Sequence, residues 1–153
     1  MSGELISTLG GKIPQRALRH LDQLPYVVNY QSLTVVDFGN TGDTEGFVFA
    51  TPATKRGKPI QVDLYDNAEA FGGGTSAARV DIGDGSDADE FAYTDGAAAS
   101  AVAQVFCVAD GTLNIGDTEI IQPGDQVTVT CVDATGTSLA GQAAVGVTVL
   151  YFE

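Results

Sequence analysis

The sequence has no tryptophan, one histidine, one methionine and two cysteines among its 153 residues. Two cysteines do not make a disulfide framework, and Cys107 and Cys131 both lie in apolar runs. They are therefore predicted to be buried thiols, with a disulfide between them as the lesser alternative. No apolar run approaches the roughly 18 residues of a membrane-spanning helix. The first residues also lack the charged and apolar regions of a signal peptide.

Basic residues are absent from the second half of the chain. All seven lie at or before Arg79, and twelve acidic residues follow it, so that the formal net charge is −13. Proteins that bind a phosphate backbone or an anionic membrane need clusters of lysine and arginine. The charge distribution therefore argues against nucleic-acid and membrane partners.

What the sequence does contain is typical of a β protein. Apolar residues make up 44%, and there are 19 glycines. A chain of about 150 residues is long enough for one domain with a real core. Several short β-type runs follow one another at intervals of about 8–12 residues, which predicts a sandwich or barrel. We expect an all-β, β-sandwich or jelly-roll-like domain over residues 26–153.

Alternating and β-branched patterns mark the expected strands. They fall at residues 26–30, 33–38, 47–49, 60–65, 79–82, 102–108, 112–115, 119–121, 127–131 and 145–151. Loops or turns are expected at residues 39–43, 71–76, 116–117, 123–125 and 135–141, where glycine, proline and aspartate concentrate.

Residues 1–25 differ from the rest and are predicted to form an extended N-terminal arm. They carry Lys12, Arg16, Arg19 and the sole histidine, His20. Residues 15–24 are compatible with a helix too short to be stable alone. We expect the arm to become ordered by docking on a partner, and the alternative is a frayed terminus.

A second basic cluster comprises Lys55, Arg56 and Lys58. In so acidic a protein, this group and the basic residues of the arm are the candidate contacts with an acidic partner surface. The alternative is a solvated loop tip. The candidate contact residues are thus Lys12, Arg16, Arg19, Lys55, Arg56 and Lys58.

The densest acidic run spans residues 81–90. Its carboxylates and turning backbone suit a calcium ion, but its spacing matches neither the EF-hand loop nor the nonapeptide calcium repeat. The alternative, a solvated turn in which aspartate and glycine shape the backbone, is favoured. Whether this loop binds calcium is left open, and no metal site is assigned.

No other motif indicates a catalytic or cofactor site. Residues 37–39 spell Asp-Phe-Gly without the remaining kinase elements, and residues 71–74 lack the lysine of a phosphate loop. His20 has no nucleophile nearby in the sequence, and no carboxylate pair can be singled out for glycoside hydrolysis. The protein is therefore predicted not to be an enzyme and to need no cofactor.

Four features stand out from Val80 onwards: the acidic residues 83–89, the small residues after Asp95, the turn at residues 121–125 and the alternating strand at residues 147–153. Together they resemble capsid decoration (cement) proteins of tailed bacteriophages. The resemblance covers about half of the chain.

The resemblance implies a compact β domain on the outer surface of an icosahedral capsid, made in the host cytoplasm and carried on the virion. The implied partners are the major capsid protein and other copies of the chain, in dimers or trimers. The charge distribution suggests that the basic arm faces the shell and the anionic domain faces solvent. The alternatives are a tail-fibre or receptor-binding domain and a head-to-tail neck protein.

Overall fold

The computed structural model of the chain describes residues 5–6, 12–13, 23–39, 44–76, 78–98, 102–133 and 135–153. Twelve strands lie within these residues, and the one helical element there is a 3₁₀ turn, Val108–Asp110. The strands are β1 Leu5–Ile6, β2 Lys12–Ile13, β3 Tyr26–Gln31, β4 Val36–Asp37, β5 Thr44–Ala50, β6 Arg56–Ser76, β7 Arg79–Gly83, β8 Ala92–Thr94, β9 Gln104–Cys107, β10 Leu113–Ile115, β11 Gln126–Val132 and β12 Thr135–Phe152.

Two antiparallel sheets form a β-sandwich, which confirms the predicted fold class. Sheet I has the strand order β10-β8-β7-β11-β5, and sheet II has the order β3-β12-β6-β9, with β4 also paired to β12. A separate pair, β1 and β2, lies within the predicted arm. The helix considered for residues 15–24 falls almost wholly outside the described residues.

A single folded ribbon supplies the central strands of both sheets. Strands β6 and β12 pair from Arg56 opposite Phe152 to Ser76 opposite Thr135. Strands β7 and β11 then pair from Arg79 opposite Val132 to Gly83 opposite Thr128. This pairing continues the register of the last pair of β6 and β12, Ser76 opposite Thr135, without a shift. The ribbon therefore turns from sheet II into sheet I at one end of the sandwich. Its two open ends meet at the other end.

The core lies between the inner faces of this ribbon. Side chains at alternate positions of β11 and β12 are fully buried, as strict alternation requires for a strand with one face inwards. They are Val127, Val129, Cys131, Val145, Val147, Val149 and Tyr151. Val62 and Leu64 of β6 and Val80 and Ile82 of β7 complete the layer.

Aromatic side chains join the two sheets along one side. Tyr30 of sheet II stacks on Phe49 of sheet I, with 4.0 Å between ring centroids. The Tyr30 hydroxyl also lies 2.8 Å from the hydroxyl of the buried Tyr151, so each phenol has a hydrogen-bond partner. The stack and the hydrogen bond hold β3 against the core, although it is the outermost strand of its sheet.

Several expected strands are confirmed and several expected loops are wrong. The strands at residues 26–30, 47–49, 79–82, 112–115, 127–131 and 145–151 lie where expected. The turn at Pro123 and Gly124 is also confirmed: Gly124 has φ +83°, and the Asp125 N–H donates to the Gln122 carbonyl over 3.2 Å. However, residues 71–76 and 135–141 belong to β6 and β12 rather than to loops.

Four further strands differ from expectation. Only Val36–Asp37 of residues 33–38 is a strand, and the Leu33 side chain is fully exposed. The strand expected at residues 102–108 is confined to Gln104–Cys107, and residues 119–121 contribute only a bridge from Ile121 to Gly57. The strand expected at residues 60–65 begins earlier, and a register shift at Ile60 removes that residue from the inner face shared by Val62 and Leu64.

Candidate partner-binding surface

The open ends of the folded ribbon bring four segments together, which we name the loop end. It comprises residues 51–58, 84–90, 116–126 and 152–153. The Thr51 N–H donates to the Asp125 carbonyl over 3.0 Å, and Gly57 and Ile121 exchange two backbone hydrogen bonds of 2.9 Å. These bonds tie residues far apart in sequence into one surface.

The basic cluster of residues 55–58 lies at this loop end. Lys55 is buried, with 6% of its surface exposed, and its Nζ lies 3.5 Å from Oε1 of Glu153. Lys58 forms an ion pair with Glu119. Both lysines therefore already have carboxylate partners within the chain, and Arg56 and Lys58 belong to β6 rather than to a loop tip.

Arg56 is the exposed member of the cluster. Its guanidinium donates to the backbone carbonyl of Glu153 and lies 5.1 Å from the centroid of the Phe152 ring. These contacts hold the guanidinium in position, and the Arg56 side chain remains exposed. Of residues 55–58, Arg56 thus offers a partner the most accessible positive charge.

The three basic residues of the arm are not placed beside the cluster by the structure. The backbone of Lys12 lies in β2, and Arg16 and Arg19 lie outside the described residues. The chain nevertheless enters the sandwich at the loop end, because Tyr26, the first residue of β3, lies opposite Tyr151 and Tyr151 lies opposite Gly57.

The acidic run at residues 84–90 is a turn organised by its own side chains. Oδ1 of Asp84 accepts hydrogen bonds from the Ser86 N–H at 2.9 Å, the Ser86 hydroxyl at 2.8 Å and the Asp87 N–H at 3.0 Å. The Asp87 and Ser86 donors hold the pKa of the Asp84 carboxyl below its usual value. This aspartate therefore shapes the backbone, as the favoured interpretation of the run expects.

The acidic turn packs backbone to backbone against two glycines. A Cβ on Gly83 would lie 1.8 Å from the Asp87 carbonyl oxygen, and one on Gly116 would lie 2.0 Å from that of Asp89. Glycine is required at both positions because no side chain fits.

An open cleft of about 410 Å³ separates this turn from residues 118–126. Polar and apolar side chains both line it, and they are Asp84, Glu90, Phe91, Thr118, Ile120, Gln122, Asp125 and Gln126. Within the described part of the chain, no group of three or more histidine, cysteine, aspartate or glutamate side chains is arranged to hold a metal ion.

The two cysteines are free thiols in different surroundings. Cys131 of β11 is fully buried, whereas Cys107 of β9 is partly exposed. Burial, together with the negative charges of Asp133 and Asp81, raises the pKa of the Cys131 thiol to about 12. Burial also raises the pKa of Cys107. Both cysteines are therefore protonated and weakly nucleophilic at neutral pH.

A second depression, of about 300 Å³, lies on the outer face of sheet II. Asn29 and Gln31 of β3 line one side of it. Asp63 and Val105 flank it from β6 and β9.

The comparisons with protein-family models, curated proteins and solved structures each yield no match. Among the described residues, no helix has the length and apolar character needed to cross a membrane.

Proposed function

We propose that the protein is a structural virion component that binds the outer surface of an icosahedral phage capsid and stabilises it. The observation that carries this proposal is the placement of the segments resembling decoration proteins. Two of them, residues 83–89 and 121–125, face each other across the cleft at the loop end. A third of the four segments, residues 147–153, finishes there beside the basic cluster.

The loop end is also the side from which the basic arm departs. Because β3 begins opposite the last residues of β12, the chain preceding it joins the sandwich close to Arg56. Arm and basic cluster therefore start from one end of the domain. This supports the loop end as the surface that faces an acidic partner, the major capsid protein.

The suggested charge polarity needs revision at this point. The acidic turn at residues 84–90 and the basic cluster share the loop end, and Lys58 pairs there with Glu119. A contact surface at this end would present both signs of charge. Such a mixed surface selects its partner by matching positions of charge rather than by overall attraction.

A decoration protein acts by mass action. Ligands that bind only the assembled shell lower its free energy relative to dissociated subunits, and many weakly bound copies give a large total effect. This role needs a stable domain and a contact surface, and no reacting group. A buried, protonated Cys131 and an acidic turn that serves its own backbone fit such a role.

Copy number tests the proposal directly. The particle that carries this chain is purified, and the chain is quantified against the major shell protein by mass spectrometry. We expect a ratio near parity or a simple fraction of it. A handful of copies per particle would instead indicate a neck, fibre or receptor-binding component, and the proposal would fall.

Removal of residues 1–24 is expected to abolish binding to undecorated shells while leaving the sandwich folded. The variant with Lys12, Arg16 and Arg19 all changed to glutamine keeps the length of the arm but removes its positive charge. It therefore distinguishes the contribution of the charge from that of the other contacts of the arm. We expect this variant to bind at least about tenfold more weakly in co-sedimentation. Circular dichroism checks the fold, and unchanged binding of the truncated chain would contradict the assignment of the arm.

A further inference from the structure

Strand β3 presents a free edge at one side of sheet II. Among the described strands it pairs only with β12. The Ser32 N–H donates to the Val145 carbonyl over 2.8 Å. This bond shows which residues of β3 point their N–H and C=O groups towards β12 and which point them away. In an antiparallel pair every second residue points its N–H and C=O away from the partner. Those of Val27, Asn29 and Gln31 therefore point outwards.

This edge lacks the features that normally keep edge strands apart. No charged residue occurs from Gln23 to Val36, in a chain that carries 27 acidic and basic residues. Leu24, Val27 and Leu33 have exposed fractions of 55%, 54% and 101%. Natural edges are usually protected by lysine, inward charges, bulges or very short length. An uncharged six-residue edge is a template for a further strand.

The other described edges are blunted. At β9, the Gln104 side chain exchanges hydrogen bonds of 2.7 and 3.1 Å with the Ala98 backbone. The Cys107 N–H donates to the Thr112 hydroxyl, and the Cys107 carbonyl accepts a hydrogen bond from the Thr112 N–H. Strand β5 carries Glu45. Strand β10 has only three residues. Strand β3 is thus the edge best suited to pairing.

We propose that β3 pairs with β3 of a second copy of this chain, antiparallel about a two-fold axis at Asn29. Residues facing each other across such a pair must point their backbone groups towards each other. This condition places Asn29 opposite Asn29 and Val27 opposite Gln31. The three outward residues of each strand then form about six hydrogen bonds between the copies. Sheet II continues across the axis into its counterpart.

Charge identifies the second copy as the occupant. Each copy has a net charge of −13, so most contacts between two copies bring like charges together. The strip from Gln23 to Val36 is a stretch along a free strand edge where two copies can meet without that cost. A charged partner would find no opposite charge along it, whereas a two-fold contact matches one neutral strip with another.

Charge substitutions at Asn29 test the two-fold register. Asn29 is exposed and its side chain bonds only Thr148 across the strand pair, so Asn29→Glu and Asn29→Lys should both fold. Light scattering after gel filtration should give about twice 15.8 kDa for the unchanged chain. Each variant alone places like charges on the axis and should weaken the dimer about 100-fold. An equimolar mixture of the two should restore it.

The matched control is Val105→Glu, on the opposite edge of the same sheet. It adds one negative charge, as Asn29→Glu does, and should leave the dimer intact. A monomeric unchanged chain at 200 µM, dimeric single variants, or a mixture that stays monomeric would each overturn the proposal. Because no capsid is present, these outcomes are independent of whether the protein binds one.

Discussion

Gly83→Ala is expected to destabilise the protein by about 3 kcal/mol, because the new Cβ overlaps backbone that has no room to move. The overlap is with the Asp87 carbonyl oxygen at 1.8 Å and the Ala88 carbonyl carbon at 2.6 Å. Relief requires the acidic turn to move away from β7. That movement breaks the 3.1 Å hydrogen bond from the Asp84 N–H to the Asp87 carbonyl.

Urea unfolding followed by circular dichroism measures this effect. The matched control is Gly72→Ala in β6, where a Cβ would meet nothing within 4 Å. We expect the control to change the unfolding free energy by no more than about 0.5 kcal/mol. Equal midpoints for the two variants would show that the turn does not pack on Gly83 as described.

Alkaline pH is expected to unfold the protein partly through Cys131. Burial holds the pKa of this thiol at about 12 in the folded state, whereas an unfolded cysteine has a pKa near 9. Above about pH 9 the unfolded chain loses this proton and the folded chain keeps it. The unfolding free energy therefore falls as pH rises, by about 1.4 kcal/mol per unit, or about 3 kcal/mol by pH 11.

Cys131→Ala separates this effect from other titrating groups. The variant should lose about 1 kcal/mol at neutral pH through the missing sulfur, but its stability should fall less steeply between pH 9 and 11. Tyr151, whose pKa is raised by burial and by its hydrogen bond with Tyr30, contributes equally in both proteins. Urea midpoints at several pH values, with a reductant present, give the slopes. Parallel slopes would contradict the assignment.

Strands with one buried face are predictable from this sequence. Residues 127–131 and 145–151 alternate between apolar and other residues, and their inward members are fully buried. The physical reason is local, because a strand at the centre of a sandwich sorts its own side chains between core and solvent. The same argument identified the sandwich itself.

Strands defined by their neighbours are not predictable in this way. The three glycines at residues 72–74 and the small residues at 135–141 show no alternation, yet they form the two paired strands near the corner of the ribbon. Pairing across the ribbon determines their backbone conformation. Likewise, the register shift at Ile60 cannot be read from a pattern that alternates without interruption.

The candidate partner-binding surface is likewise predictable only in part from the sequence. The basic cluster at residues 55–58 is visible in the sequence, but its partners are not. Glu153 and Glu119 are 98 and 61 residues away from Lys55 and Lys58. Only the folded ribbon brings each lysine to its glutamate. Because both lysines are paired in this way, Arg56 is the exposed basic side chain of the cluster.

The ribbon also determines when the protein can fold. Each sheet needs one strand from residues 56–83 and one from residues 126–152 at its centre. Most contacts therefore join residues that are far apart in the sequence, and the long loop between the partners must close before they form. We expect folding on the scale of milliseconds to seconds or slower. On the ribosome, neither sheet can be completed until β11 and β12 have left the exit tunnel, so the domain cannot fold strand by strand as its first half emerges.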